Sequence, residues 1–382
     1  MRVVKWIALS VVLLAALAAM GQVTVLPPYT VSTFATSVTG VYFQPDSIAI
    51  RGSRVFIGYG NGVAPDGSDG KSSTIVEYDL SGNVITTYSV VGHNDGLQVH
   101  PITQQLWAMQ NEDGNPNLVI IDPATHSQTK YTFPPTAHGG GYDDIAFRKN
   151  DVFISASNPL NNPNNAPAIV RIELNGSTAT VFPVVSGTAT ATDIPTNAPA
   201  VLNLQDPDSM KFNPFGDLVL DSQADGELII LHNAGLPNQS VYHLGLTLDG
   251  AATQIDDTIY ATSSHGTILV SDRDGETVYA ITRNIFAPFA AYSAAPTSVA
   301  KLDLSTGGLT NIVTRMVSPH GMAFLEDNFG SFDKAEVGME DGRGRPSPTE
   351  NRWVIISFSD GRGLGRPAGS WPRGAVPRPG NP

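Results

Sequence analysis

The chain has 382 residues, no cysteine, 15% charged residues and a formal net charge of −13. Without cysteine there is neither a disulfide framework nor a thiolate metal site, so stability has to come from a large core. The excess of acid repels nucleic acid and anionic lipid and attracts cations, which argues against a nucleic-acid partner.

Residues 1–21 read as a secretory signal peptide: Arg2 and Lys5 form a basic start, Trp6 to Met20 an apolar stretch, and Ala19 and Gly21 offer small residues for cleavage. The apolar stretch is shorter than the roughly 20 residues that cross a bilayer, and no later segment is long enough. The expectation is an exported bacterial protein, periplasmic or extracellular, with no stable membrane span after cleavage. Between residues 22 and 339 the charge is more lopsided than in the whole chain. Setting aside the two bases of the leader, and the seven arginines and four acids of 340–382, leaves 13 bases against 31 acids.

From Gln22 onward there is almost no 3.6-residue periodicity, and short alternating or apolar runs bounded by Gly, Asn, Asp and Pro mark an all-β chain. The leading segment 23–38 has no partner of its own and is expected to supply the outer strand of the last unit. An acid then stands immediately before an apolar run at PDSIAI (45–50), NDGLQV (94–99), YDDIAF (142–147), PDSMKF (207–212) and IDDTIY (255–260), and PHGMAF (319–324) repeats the arrangement with a histidine. In the second unit, 95–99, 105–110, 118–122 and 128–133 make four strands. Four strands recurring about every 48 residues predict a six-bladed β-propeller of four-stranded antiparallel blades spanning 22–339. Two units are longer: the third carries insertions at 158–167 and 188–200, and the fifth, with GTILVSDRDGETVYAI (266–281), carries one at 286–296 before strands resume at 298–314. Residues 340–382 are rich in Gly, Pro and Arg, a composition that cannot bury enough apolar surface to order itself, apart from RWVIISF (352–358), a possible strand.

In a propeller the innermost strands start beside a central channel, so Asp46, Asp95, Asp143, Asp208, Asp256 and His320 are expected to form a ring at one mouth. Five carboxylates in one opening are tolerable only if some are protonated, hydrogen-bonded, or bridged by a cation; oxygen-only ligands suit a hard divalent cation such as Ca²⁺. The bland alternative is that each Asp caps its own blade through local backbone bonds. Glu112, Asp113, Asp221 and Asp272, in turns after second strands, and Asp144 and Asp257, the second acids of the two Asp-Asp pairs, are secondary candidates. His93 and His138 precede ring acids and, with Asp208, are the candidate catalytic bases, although a loop histidine is more often a plain surface residue. HGGG at 138–141 has no GxSxG partner, and no GxGxxG, P-loop or HExxH occurs.

GDLVLDSQADGELIIL (216–231) and GTILVSDRDGETVYAI (266–281), together with the PDS, DD and PHG strand heads, resemble the NHL-repeat and senescence-marker/gluconolactonase group of six-bladed propellers over residues 40–324. The resemblance implies a divalent cation in the channel, often Ca²⁺, with Asp46, Asp143 and Asp208 as its ligands and Asp208 as base. Asp stands at 46 where the family has Glu and at 143 where it has Asn, which makes the site more negative. Three functions follow as expectations: binding of a divalent cation or small polar ligand at the acidic mouth, metal-dependent hydrolysis of a lactone or related ester, or a non-enzymatic scaffold that binds a protein ligand.

Overall fold

The structure, a computed structural model, describes residues 23–327. The signal segment 1–21 and the tail 340–382 with 352–358 lie outside the described residues. Every described element is a strand, and no described helix is long and apolar enough to cross a membrane.

The chain opens with β1 (Thr24–Val25) and β2 (Thr30–Thr36). β3 (Pro45–Arg51), β4 (Arg54–Tyr59), β5 (Ser72–Tyr78) and β6 (Val84–Val91) form one antiparallel sheet in chain order. β7 (Asn94–Val99), β8 (Leu106–Gln110), β9 (Asn117–Ile121) and β10 (Gln128–Thr132) repeat the pattern, as do β11 (Ile145–Arg148), β12 (Asp151–Ser155), β13 (Pro167–Asn175) and β14 (Thr178–Ser186). One parallel bridge, Thr132 to Thr178, joins those last two sets into a single sheet. Next come the hairpin β15 (Thr190–Asp193) and β16 (Pro199–Val201), then β17 (Pro207–Phe212), β18 (Leu218–Ser222), β19 (Glu227–His232) and β20 (Ser240–Gly245). The stretch read from sequence as a plain insertion at 188–200 is thus this hairpin, and β15 extends the sheet beyond β20.

The remaining strands are interleaved. They are β21 (Thr247–Leu248), β22 (Ala251–Ala252), β23 (Thr258–Tyr260), β24 (Gly266–Asp272), β25 (Thr277–Thr282), β26 (Ala291–Ala295), β27 (Ser298–Leu302), β28 (Gly308–Thr314) and β29 (Pro319–Glu326). After β23 the chain leaves its own sheet, forms β24 and β25 beside β29, and returns with β26 to pair with β23. Residues 266–281 therefore belong to the sheet headed by His320 and not to that headed by Asp256, a correction to the sequence reading. The supposed insertion 286–296 contains β26, the second strand of the Asp256 sheet. β2 closes the His320 sheet on β25, the outer position expected for segment 23–38, while β1 pairs with β28 of the neighbouring sheet.

The inner strands β3, β7, β11, β17, β23 and β29 lie side by side in that order, and β29 returns to β3. An apolar cluster fills each gap between neighbouring sheets. Ala49, Phe56 and Ile75 meet Leu97, Leu106 and Val119 in one gap, and Ile48, Val55 and Ile57 meet Leu269, Val278 and Ala323 where the circle closes. Each sheet is covered on both faces, which is why LWAMQ (106–110) and NLVII (117–121) are apolar without alternation and buried throughout. Truncating a fully buried ring such as Phe56 to alanine would cost about 3–5 kcal/mol. The architecture is that of a β-propeller, and it brings the heads of the inner strands to one place.

Candidate functional site

At the head of β3, β7 and β17 the ladder to the next strand slips: pairing jumps from Pro45 to Ile48, from Asn94 to Leu97 and from Pro207 to Met210. Each slip spans a ring acid, and β24 slips opposite His320 between Val270 and Asp272. Such bulges re-aim a side chain. Here they release Asp46, Asp95, Asp208 and His320 from the sheet, and with Asp143 and Asp256 these side chains line one cavity of about 200 Å³ together with His93, Glu112, Asp206 and Arg273. Neighbouring inner strands come so close that a Cβ on Gly96 would sit 2.2 Å from the Asp143 carbonyl oxygen, and one on Gly321 would sit 2.7 Å from that of Asp46. Glycine is required at both places for steric reasons.

The ring is unequally compensated. Asp256 Oδ2 accepts a hydrogen bond from Gln223 Nε2 at 2.6 Å and lies 3.7 Å from His320 Nε2, while Asp46 Oδ2 lies 3.8 Å from Arg273 Nε. Among the described residues, no hydrogen bond or ion pair reaches the carboxylates of Asp95, Asp143 or Asp208. Asp95 and Asp208 keep some exposure to the cavity yet sit deep among protein atoms and other acids. Burial, reinforced by neighbouring carboxylates, pushes Asp95, Asp143 and Asp208 well above the usual carboxylate range. Burial also raises Asp256, to about 7, against the opposing pull of His320. Burial works to lower His320, and the Asp256 and Asp46 charges outweigh it, so the imidazole ends above its ordinary value.

Beneath the ring the channel narrows to a second space of about 20 Å³ that the ring acids share with Asp144, Asp257 and Lys211. The second acid of each Asp-Asp pair does a different job from the first. Asp144 Oδ2 accepts the backbone N–H of Met210 at 2.9 Å, and Asp257 Oδ2 that of Met322 at 2.7 Å, so each ties its inner strand to the next. The Lys211 ammonium is hydrogen-bonded to both oxygens of Asp257. Burial raises Asp144 to about 6 although Lys211 pulls it down.

Other sequence candidates lie elsewhere. His138 is buried against Tyr142 and its Nε2 donates to the Gly141 carbonyl at 2.6 Å; it does not line the cavity. Asp221 is buried in β18, charge-coupled to Asp257 and Lys211 beneath the mouth, and Asp272 accepts the backbone N–H groups of Val317 and Ser318, which fixes the approach to His320. His93 and Glu112 do reach the cavity. The backbones of His93 and Asn111 pair (Asn111 N to His93 O, 2.8 Å), Asn111 Oδ1 accepts the His93 N–H at 2.9 Å, and His93 Nδ1 bonds Glu112 Oε2 at 2.8 Å. Ligand atoms of His93, Asp95 and Glu112 all lie within 4.8 Å of one another.

Sequence reasoning missed Asp206, Arg273 and Lys211. Asp206 stands two residues before Asp208, Arg273 is the one base in the acidic turn SDRDGE, and Lys211 takes the polar position between Met210 and Phe212 in PDSMKF. The residues present fit a cation: three carboxylates without a protein partner face one strongly acidic cavity, a state that a bound positive charge relieves.

The fold and this funnel define the chain as a β-propeller protein with an acid-lined axial mouth. No protein-family model and no curated protein matches the sequence. Among solved structures, it is similar to a gluconolactonase from Xanthomonas campestris, at 11% identity and TM-score 0.48 over 82% of this chain and 90% of that one. It is also similar to virginiamycin B lyase from Staphylococcus aureus, at 12% identity and TM-score 0.45 over 78% and 96%, and to a periplasmic gluconolactonase from Pseudomonas aeruginosa, at 10% identity and TM-score 0.40 over 78% and 99%.

Proposed function

We propose that the chain is an exported six-bladed β-propeller, with four-stranded blades as its repeating unit, that binds a divalent cation and through it a small polar ligand at the acidic mouth. The observation that carries this reading is the convergence of Asp46, Asp95, Asp143, Asp208 and Asp256 on one cavity, three of them without any protein partner. Asp46, Asp143 and Asp208 are the residues that would hold an axial cation. All three offer oxygen, the donor that Ca²⁺ prefers. The test is calorimetric titration of metal-stripped protein with Ca²⁺ beside thermal melting, since a ligand that binds only the folded state raises the midpoint with occupancy. Saturable binding that is lost in Asp208→Asn supports the reading; no heat and no shift with any divalent cation overturns it.

A second reading, metal-dependent hydrolysis of a lactone or related ester, is favoured by one observation: Asp208 combines a carboxyl held well above its usual range with a place in the cavity. A bound cation polarises a carbonyl and lowers the pKa of a bound water. In that reading Asp208 accepts the proton of the attacking water, and Arg273 and His320 hold the ligand's oxygens. Turnover of a lactone panel that vanishes in Arg273→Gln while that same variant still binds Ca²⁺ separates hydrolysis from binding alone; no turnover by the parent overturns the hydrolytic reading.

A further inference from the structure

Resting on the reading that the mouth binds a cation, we propose that it carries, beside the axial ring, a separate metal subsite of mixed nitrogen and oxygen donors, His93, Asp95 and Glu112, suited to a borderline metal such as Zn²⁺ and not to Ca²⁺.

Three features support it. The donor atoms are already gathered within 4.8 Å of one another, from the head of β7 and the turn after β8. That gathering is built into the backbone: the His93–Asn111 pairing and the Asn111 side chain fix His93 opposite the residue that precedes Glu112, and Asn111 holds a left-handed φ of 69° to turn the chain there. The second feature is a buried ligand nitrogen. The His93 ring is 3% exposed and its Nδ1 lies 2.8 Å from Glu112 Oε2, so the ion would take the place of the proton they share, while Nε2 stays buried on the other side of the ring, near Gly60. The third is charge. Asp95 has no protein partner and lines the cavity beside Asp143, Asp46 and Glu112, so a dication at this point offsets several negative charges at once.

The chemistry selects the ion. An imidazole with two carboxylates matches the donor preferences of Zn²⁺ and its neighbours in the first transition row, whereas Ca²⁺ takes six to eight oxygens and gains little from nitrogen. Three protein donors leave a position open for water or ligand. A consequence is that His93, once bound to metal, is unavailable as a general base.

The experiment uses Co²⁺ as a visible stand-in for Zn²⁺, titrated into the metal-stripped full chain with Ca²⁺ saturating. A Co²⁺ absorption band that Zn²⁺ bleaches and excess Ca²⁺ leaves intact is expected, with affinity weakened by more than the roughly 10–100-fold typical of losing an outer partner in His93→Gln and in Glu112→Gln, while the Ca²⁺ response of both variants persists. A band insensitive to both substitutions, or one erased by Ca²⁺ at comparable concentration, overturns the subsite and leaves the axial reading standing. If neither Co²⁺ nor Ca²⁺ binds, both fall. Melting curves of the variants, each with its own Ca²⁺ shift, separate loss of a ligand from loss of the fold.

Discussion

Asp144 in one sheet and Met210 in the next are joined by a single hydrogen bond of 2.9 Å from the Met210 backbone N–H to the Asp144 carboxylate. The same acid accepts the N–H of Ile145 at 2.7 Å. Replacing it with alanine leaves buried donors unmet and is expected to lower stability by about 1–3 kcal/mol, with Asn costing less because an acceptor remains. Urea unfolding of Asp144→Ala and Asp144→Asn measures this; equal stability of the alanine variant and the parent removes the strand tie from the account.

Lys211 is the cation among the acids beneath the ring. Lys211→Met strips Asp257 of its ion pair and is expected to destabilise by about 3–5 kcal/mol, the range for breaking a buried pair from one side. The double variant Lys211→Met/Asp257→Asn should recover a substantial part, because the orphaned charge goes with its partner. A double variant no more stable than the single one would assign the loss to packing of the lysine stem.

The metal-free protein should lose stability as pH rises. Asp95, Asp143, Asp208 and Asp256 hold their protons more tightly in the folded chain than in the unfolded one. Between about 4, the ordinary carboxylate value, and those raised values the folded state binds more protons, so unfolding becomes easier with each step of pH. Calorimetric scans should give a higher midpoint at about pH 5 than at about pH 8 in the stripped protein, and saturating cation should flatten the difference. A midpoint that climbs with pH in the stripped protein contradicts the crowding of charge.

Asp208→Asn removes one member of that crowd. At neutral pH the stripped variant is expected to melt higher than the parent, by about 2–4 °C for each kcal/mol of relief, and to respond less to Ca²⁺. Lower melting without cation would indicate that Asp208 serves the fold instead.

The sequence made the strand heads legible because a carboxylate before an apolar run is chemically conspicuous, and every such head from Asp46 to His320 reaches the cavity. It did not make the interleaving legible. β24 and β25 carry the same alternating pattern whichever inner strand they join, and only the long-range match of Ile268 and Val270 to Phe324 and Met322 decides the partner. His93 and His138 look alike in sequence, each a few residues ahead of a ring acid. Backbone pairing with Asn111 sends one to the mouth, and the other packs against Tyr142. Lys211 and Arg273 were hidden because a base in an acidic segment reads as ordinary surface charge until its surroundings are known.

The exchange of hairpins between the last two sheets bears on how the molecule is made. A ribosome releases β23, β24 and β25 before either sheet can be finished, and β24 waits for β29, about 50 residues later, to gain its inner neighbour. An early strand and the last described one then meet in one sheet, β2 on its rim and β29 at the axis. A nascent chain halted before residue 319 would leave β24 with a bare edge and the circle unsealed, so the mouth exists only once translation has passed its final histidine.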